Sequence, residues 1–210
     1  MTKQKYFDFN INENKDSYNF YVNESNIEAY NLINQDSIAN NIFLYGPNKS
    51  GKTHLANIWA KKNDAIIFSD NISNIISNKK NVLIDNFLFN LNEEYLFHII
   101  NHCINHNLKI LITSNNDLYE YNFHIPDLKS RLKTFHYVKI NEPNDEMIFI
   151  ILTKLLTEKQ FIIKNTEIFE YLIKRIKRTY EEIYILVNKM DKLSLEKKRQ
   201  LTIPLIKEIL

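Results

Sequence analysis

The sequence predicts an α/β fold, a five-stranded parallel sheet sandwiched by helices, followed by a small all-α domain. Two observations predict it. Before Pro143, short apolar runs that suit strands buried on both faces alternate with segments of helical periodicity. From residue 144 to 210 only helical periodicity is found. The first apolar stripe of that region consists of Ile148, Ile151, Leu152, Leu155 and Leu156.

The predicted elements follow one another without internal repeats. Ser25-Asn26-Ile27-Glu28 has the form of a capping box and opens a helix to about Ile33. Strands are predicted at 41–45, 65–69, 81–87, 109–113 and 135–140. Helices are predicted at 52–61, 93–106 and 126–131, the last opened by Pro126, and a short helix or loop at 71–77. We divide the chain into a tail (1–17), an α/β domain (18–142) and a helical lid domain (143–210).

Composition excludes several classes of protein. The 210 residues carry a formal net charge of +2 and one cysteine, Cys103. A single cysteine excludes a disulfide framework and a multi-cysteine zinc site. The near-balanced charge argues against a protein that wraps nucleic acid over much of its surface. No apolar run reaches the ~18 residues of a membrane span, and the N-terminus has no apolar signal core. We therefore expect a cytoplasmic protein without a membrane partner.

Both glycines of the chain lie in one eight-residue window, GPNKSGKT. The window follows a predicted strand and opens a predicted helix, which is the context of a phosphate-binding loop. Glycine permits positive φ and close backbone approach, so loop N–H groups can surround a β-phosphate. We expect Lys52 to reach the β- and γ-phosphates and Thr53 to ligate Mg²⁺. The other nucleotide contacts predicted in this loop are Gly46, Pro47, Asn48, Lys49, Ser50 and Gly51.

A second motif supports the first. The apolar run NVLID ends in Asp85, where a Mg²⁺-ordering carboxylate belongs in a nucleotide-binding fold. An acidic turn residue after a strand is the alternative interpretation. Asn86 follows, and its amide can orient a water molecule but cannot take a proton. This pair predicts a magnesium site with weak intrinsic hydrolysis.

Several segments together resemble the AAA+ module of DnaA-type proteins. They are YGPNKSGKTHLANIWA, LIDN, LITSNN and IPDLKSRL, in this order and spacing. The upstream FYVNESNIEAYNLI is similar to the segment that lies near the adenine in that family. The resemblance implies ADP or ATP with Mg²⁺ as ligand, contacted by Tyr21, Val22 and His54 as well as the loop. The C-terminal RQLTIPLIKEIL resembles the ending of the Hda branch of regulatory DnaA paralogs, and we expect no DNA-binding helix-turn-helix domain beyond it.

The resemblance implies further roles. Arg131 in PDLKSR matches an arginine finger, which stabilises phosphoryl transfer in a neighbouring subunit; the alternative is a surface arginine at a helix end. Ser114 and Asn115 match the position that senses the γ-phosphate. Glu181 stands where the family has a second sensor arginine on the lid, so Arg178, one turn earlier, is the candidate substitute.

The N-terminal tail carries a separate signal. Gln4-Lys5-Tyr6-Phe7-Asp8-Phe9 resembles the bacterial sliding-clamp-binding pattern, with Gln4 at a pocket rim and Phe7 and Phe9 as apolar anchors. The alternative is that these aromatic side chains pack back onto the domain. Clamp binding would bring the protein to DNA indirectly.

Three functions remain in competition. The first is an adaptor that docks on the clamp of DNA polymerase III and stimulates ATP hydrolysis by DnaA, as a negative regulator of replication initiation at the nucleoid. The second is a self-assembling DnaA-like or helicase-loader ATPase acting on DNA, and the third is a P-loop kinase. Asn86 and the replaced lid arginine favour the adaptor, while homo-oligomerisation stays open.

Overall fold

A computed structural model of the chain describes residues 20–34, 41–69, 72–87, 92–161, 163 and 166–210. The predicted tail (1–17), with Gln4, Phe7 and Phe9, lies outside the described residues. The chain divides into two compact units, with the division between Asn141 and Glu142. Within the described ranges, no helix has both the length and the apolar character to cross a membrane.

The N-terminal unit contains a five-stranded sheet whose strands all run parallel, in the order β2-β3-β4-β1-β5. The strands are β1 (Asn41–Tyr45), β2 (Ile66–Ile67), β3 (Val82–Phe87), β4 (Ile110–Ser114) and β5 (His136–Lys139). This confirms the predicted α/β fold. The second strand is shorter than predicted because only Ile66 and Ile67 pair with β3.

Helices cover this sheet. They are α1 (Ile27–Asn34), α2 (Lys52–Lys62), α3 (Ile72–Ser77), α4 (Glu93–Asn105) and α5 (Pro126–Leu132), with a 3₁₀ turn at Leu118–Glu120. The buried face of α4 is the predicted one, made by Leu96, Ile99, Ile100 and Cys103. In α5, Leu128 and Leu132 are fully buried, so the opposite face of this short helix is directed away from the core.

The start of α1 differs from the predicted capping box. Ser25 Oγ donates to Asn23 Oδ1 at 2.7 Å, and Ser25 N donates to the same oxygen at 2.9 Å. Asn26 Oδ1 in turn accepts from Asn23 N at 2.9 Å. Asparagine side chains readily bond backbone N–H groups two residues on, and these local bonds replace the predicted pairing of Ser25 with Glu28.

All the regular structure that is described in the C-terminal unit is helical. Its helices are α6 (Asp145–Glu158), α7 (Glu167–Ile173), α8 (Tyr180–Lys197) and α9 (Ile203–Ile206). The predicted stripe of α6 supplies part of its core through Ile148, Leu152 and Leu156. Asn144 caps α6 by accepting from Met147 N at 2.9 Å, which fixes where this helix begins.

Candidate nucleotide-binding site

The loop GPNKSGKT connects β1 to α2 and requires glycine at two points. A Cβ on Gly46 would lie 2.6 Å from the carbonyl oxygen of Ile140, so no larger residue fits there. Gly51 has a φ of 94° at the start of α2, and a Cβ there would lie 2.9 Å from Cε2 of Phe20. Both glycines of the chain therefore serve close backbone approaches in this one loop.

Lys52 reaches back into the loop from the first turn of α2. Its side chain is buried, and Nζ donates to the carbonyl oxygens of Gly46 at 2.9 Å and Pro47 at 2.7 Å. Burial lowers the pKa of Lys52 to about 8, although the nearby charge of Asp85 opposes the shift. The ammonium thus lies inside the curve of the loop, where an anionic ligand would meet it.

Asp85 and Thr53, the two predicted Mg²⁺ ligands, lie next to each other. Thr53 Oγ1 lies 3.3 Å from Asp85 Oδ1, which brings a hydroxyl and a carboxylate oxygen together beside the loop. Hard oxygen donors of this kind suit Mg²⁺, which commonly takes one or two protein ligands and completes its shell with waters and substrate phosphates. The donor set therefore fits a nucleotide-bound Mg²⁺ held through Thr53 and Asp85.

A β-bulge in β3 positions this carboxylate. Between the paired residues Ile84–Ile112 and Phe87–Ser114, two residues of β3 oppose the single Thr113 of β4. Thr113 is fully buried and bonds both of them: its hydroxyl donates to Asp85 Oδ1 at 2.6 Å and accepts from Asn86 N at 2.7 Å. Bulges next to active sites re-aim side chains, and this one directs Asp85 towards Thr53.

Asn86 completes the bulge in a left-handed backbone conformation, with a φ of 54°. Asparagine adopts this region more readily than most residues, which gives the residue a conformational reason to be there. Its side chain is exposed at the same edge of the sheet as Asp85. The amide is therefore free to face solvent rather than being buried in the core.

The predicted sensor residues behave differently from each other. Both lie at the end of β4, which is between β1 and β3 in the sheet. Ser114 is fully buried, and its hydroxyl is 2.7 Å from the hydroxyl of Tyr121 and accepts from Asn116 N at 3.1 Å. Asn115 is exposed at the end of the strand. Of the two predicted sensors, Asn115 has the exposed side chain, while the hydroxyl of Ser114 bonds residues of the segment after β4.

An aromatic residue that sequence analysis did not single out lies over the loop. The ring of Phe20 is 5.4 Å from that of His54 and 6.0 Å from that of Tyr30, with which it stacks. It also covers Gly51. Its neighbour Tyr21, a predicted nucleotide contact, is 42% exposed. Val22, the other predicted contact in this segment, is half-buried.

Arg131 lies in the last turn of α5 and is half-buried. Its guanidinium carbon is 5.6 Å from the centre of the Phe97 ring of α4. Within the part of the chain that the structure describes, Arg131 forms no ion pair. The positive charge thus lies on an aromatic face, and no carboxylate among the described residues pairs with it.

Arg178 belongs to the C-terminal unit. Its Nη2 lies 2.8 Å from Asp145 Oδ1, and both side chains are more than half exposed. Glu181, in the first turn of α8, is also exposed. Within its own unit, then, the candidate substitute for a lid sensor is held by a solvent-exposed ion pair.

Comparison with known proteins identifies the family. Residues 150–210 match the family model of the Hda lid domain. The chromosomal replication initiator DnaA of Buchnera aphidicola subsp. Cinara cedri is 32% identical in an alignment of 243 positions. The alignment covers 99% of this chain and 55% of that protein. The chain belongs to the DnaA family of AAA+ proteins. It spans about half the length of the two Buchnera DnaA relatives that it matches.

Other similarities agree with this assignment. An uncharacterised protein of Haemophilus influenzae is 25% identical over 206 residues, covering 86% of this DnaA-family chain and 89% of its own length. Domain III of Thermotoga maritima DnaA superimposes with a TM-score of 0.72 at 17% identity, over 95% of this chain and 96% of that one. AMPPCP-bound DnaA of Aquifex aeolicus superimposes with a TM-score of 0.68 at 23% identity, over 89% of this chain and 67% of that one. These structures share the AAA+ fold.

Proposed function

We propose that this DnaA-family protein is a nucleotide-binding adaptor that stimulates ATP hydrolysis by DnaA and thereby restrains replication initiation. Arg131 carries the proposal. Its guanidinium rests on Phe97 without an ion pair among the described residues, so its charge is available to a second protein. The match to an Hda lid supports the regulatory rather than the initiator branch.

The adaptor binds ADP or ATP with Mg²⁺ at the loop between β1 and α2. Lys52 faces the phosphates, Thr53 and Asp85 hold the metal, and Tyr21, Val22 and His54 flank the base. The support is the geometry of the loop, the 3.3 Å approach of Thr53 to Asp85 and the AMPPCP found in the Aquifex DnaA structure. Asn86 cannot accept the proton of an attacking water. We therefore assign the bound nucleotide a structural role, with slow turnover.

Arg131 acts in trans. An arginine finger neutralises charge that develops on the transferred phosphoryl group and is worth about 10³–10⁵ in rate where it has been measured. The arginine reaches the DnaA·ATP site from the last turn of α5, a helix that Leu128 and Leu132 anchor in the core. Asn115 and Arg178 are assigned to this protein's own nucleotide.

The tail docks on the sliding clamp. Gln4, Phe7 and Phe9 form the proposed binding segment, on the basis of their pattern alone. Docking on a DNA-loaded clamp would raise the local concentration of the adaptor near DNA-bound DnaA, so a weak direct contact with DnaA would suffice.

The decisive experiment measures phosphate release from ATP-loaded DnaA with this protein, ADP and DNA-loaded clamp, each omitted in turn. We expect stimulation only when all are present. Arg131→Ala should abolish it and leave nucleotide binding intact, whereas Lys129→Ala, which removes an exposed charge from the same helix, should not. Phe7→Ala with Phe9→Ala should abolish clamp pull-down.

Two results would contradict the proposal. If Arg131→Ala stimulates as well as the unaltered protein, the finger is elsewhere. If the protein hydrolyses ATP rapidly alone and gains nothing from DnaA or clamp, it is a self-assembling ATPase of the loader type, and the adaptor assignment is wrong.

A further inference from the structure

The contacts of α5 point to a device that holds Arg131 in place. Glu93, the first residue of α4, reaches the chain just before α5. Its carboxylate accepts from His124 N at 2.9 Å and from Ile125 N at 3.0 Å. The His124 ring nitrogen Nδ1 lies 3.0 Å from the same carboxylate. Glu93 therefore bonds the N–H groups that precede Pro126, where the helix itself supplies no partner.

The other end of α5 is held as well. Phe97 lies four residues after Glu93 on α4, so both side chains project from one face of that helix. The Phe97 ring meets the guanidinium of Arg131. Tyr137 of β5 donates its hydroxyl hydrogen to Leu132 O at 2.8 Å, at the end of α5. One face of α4 thus contacts both the residues just before α5 and Arg131 in its last turn.

The choice of an aromatic partner has a chemical consequence. A carboxylate would fix a guanidinium strongly, but it would occupy the N–H groups and compete with phosphate oxygens. A ring attracts the cation through its face and leaves the N–H donors at the edge of the guanidinium unoccupied. A cation that must later be inserted into an anionic site is better held by such a face than by an acid.

We propose that Glu93 and Phe97 are positioning residues for Arg131: Glu93 fixes the start of α5, and Phe97 holds the guanidinium extended without neutralising it. The proposal rests on the function assigned to Arg131 above. It predicts that loss of the ring lowers the maximal stimulated rate without changing how tightly the adaptor engages its partner.

The test compares Phe97→Leu with Phe97→Tyr, which keeps the aromatic face. Phe97→Leu should lower the maximal rate of stimulated hydrolysis about 2- to 5-fold, which corresponds to the ~0.5–1 kcal/mol of a cation–π contact at ~1.36 kcal/mol per factor of ten. The adaptor concentration for half-maximal stimulation should not change. Phe97→Tyr should keep the maximal rate of the unaltered protein. Tyr95→Leu, an exposed aromatic on the same helix, is the matched control and should have no effect.

Glu93 is tested by Glu93→Gln, which keeps one acceptor oxygen, and by Glu93→Ala, which keeps none. We expect the maximal rate to fall in the order unaltered protein, Gln, Ala, with nucleotide affinity unchanged. Equal maximal rates for all three proteins would show that Glu93 does not position Arg131.

A readout independent of hydrolysis separates the two proposals. The Phe97 ring current should shift the NMR signals of the Arg131 side chain upfield, and Phe97→Leu should abolish this shift while Phe97→Tyr keeps it. If Arg131→Ala retains stimulation but the ring-current shift is present, the finger assignment fails and the contact stands. If Arg131→Ala loses stimulation while Phe97→Leu retains the full rate, the positioning proposal is wrong.

Discussion

Thr113→Val tests whether the bulge in β3 builds the metal end of the site. Valine matches the shape of threonine but has no hydroxyl, so the buried strand keeps its packing. Both bonds of Thr113, to Asp85 Oδ1 at 2.6 Å and from Asn86 N at 2.7 Å, are lost. Of its hydrogen bonds to described residues, Asp85 then keeps the longer one to Thr53, at 3.3 Å, so its carboxylate is less firmly held.

The magnitude follows from the two bonds. A hydrogen bond to a charged group contributes about 1.5–3 kcal/mol and a neutral one about 0.5–1.5 kcal/mol. Because Asp85 is half-buried and Asn86 exposed, water replaces part of both bonds. We therefore expect a loss of about 1–2 kcal/mol in the free energy of unfolding, less than the sum of the two. For a chain of this length that lowers Tm by about 2–8 °C.

The assay combines urea denaturation with ADP titrations in the presence and absence of Mg²⁺. Thr113→Val should lose most of the Mg²⁺-dependent part of the affinity and little of the rest. Thr113→Ser keeps the hydroxyl and is the control, which should retain the Mg²⁺ dependence. Unchanged stability together with an unchanged Mg²⁺ dependence in Thr113→Val would refute the role given to the bulge.

Three further results are expected. Gly51→Ala should destabilise the protein by about 1–2 kcal/mol because alanine strains at a φ of 94° and its Cβ meets Phe20, and an unchanged Tm would contradict this. Because phosphate binding raises the pKa of Lys52 from about 8, nucleotide affinity should fall as pH rises through 8, and calorimetry in two buffers near pH 9 should show proton uptake. Arg178→Ala should weaken ADP binding, whereas Asp145→Ala should not, since their exposed ion pair is worth at most about 1 kcal/mol; equal effects would exclude a sensor role for Arg178.

The fold was predictable because its signals are local. Buried parallel strands appear as apolar runs, and the phosphate loop needs glycines at a fixed spacing, so Gly46 and Gly51 indicate it without any tertiary information. Asp85 stands out for the same reason, since it directly follows the apolar run of a buried strand. The stripe of α6 likewise follows from its 3.6-residue period.

The remaining parts of the site depend on register and on contacts between distant segments. In the sequence, Thr113 is one more residue of a predicted buried strand. Its role depends on the bulge, which places two β3 residues opposite it and which the sequence pattern does not indicate. The contact of Phe20 with the loop arises because the chain before α1 packs on Gly51, and this long-range contact has no signal in the sequence. The bonds of Glu93 to His124 and Ile125 span about thirty residues, and no periodicity encodes them.

β4 connects these parts, although it carries the least obvious chemistry in the sequence. Through Ser114 O it accepts from Gly46 N at 3.2 Å, which ties it to the phosphate loop. Through Thr113 it fixes Asp85, and through the hydroxyl of Ser114 it holds Tyr121, on the segment that leads to α5. A shift of this five-residue strand would therefore move the loop, the carboxylate of Asp85 and the segment that leads to Arg131 together. Nucleotide bound at the loop would stabilise the same strand, so the phosphate loop would have a structural purpose in the adaptor with slow turnover that we propose.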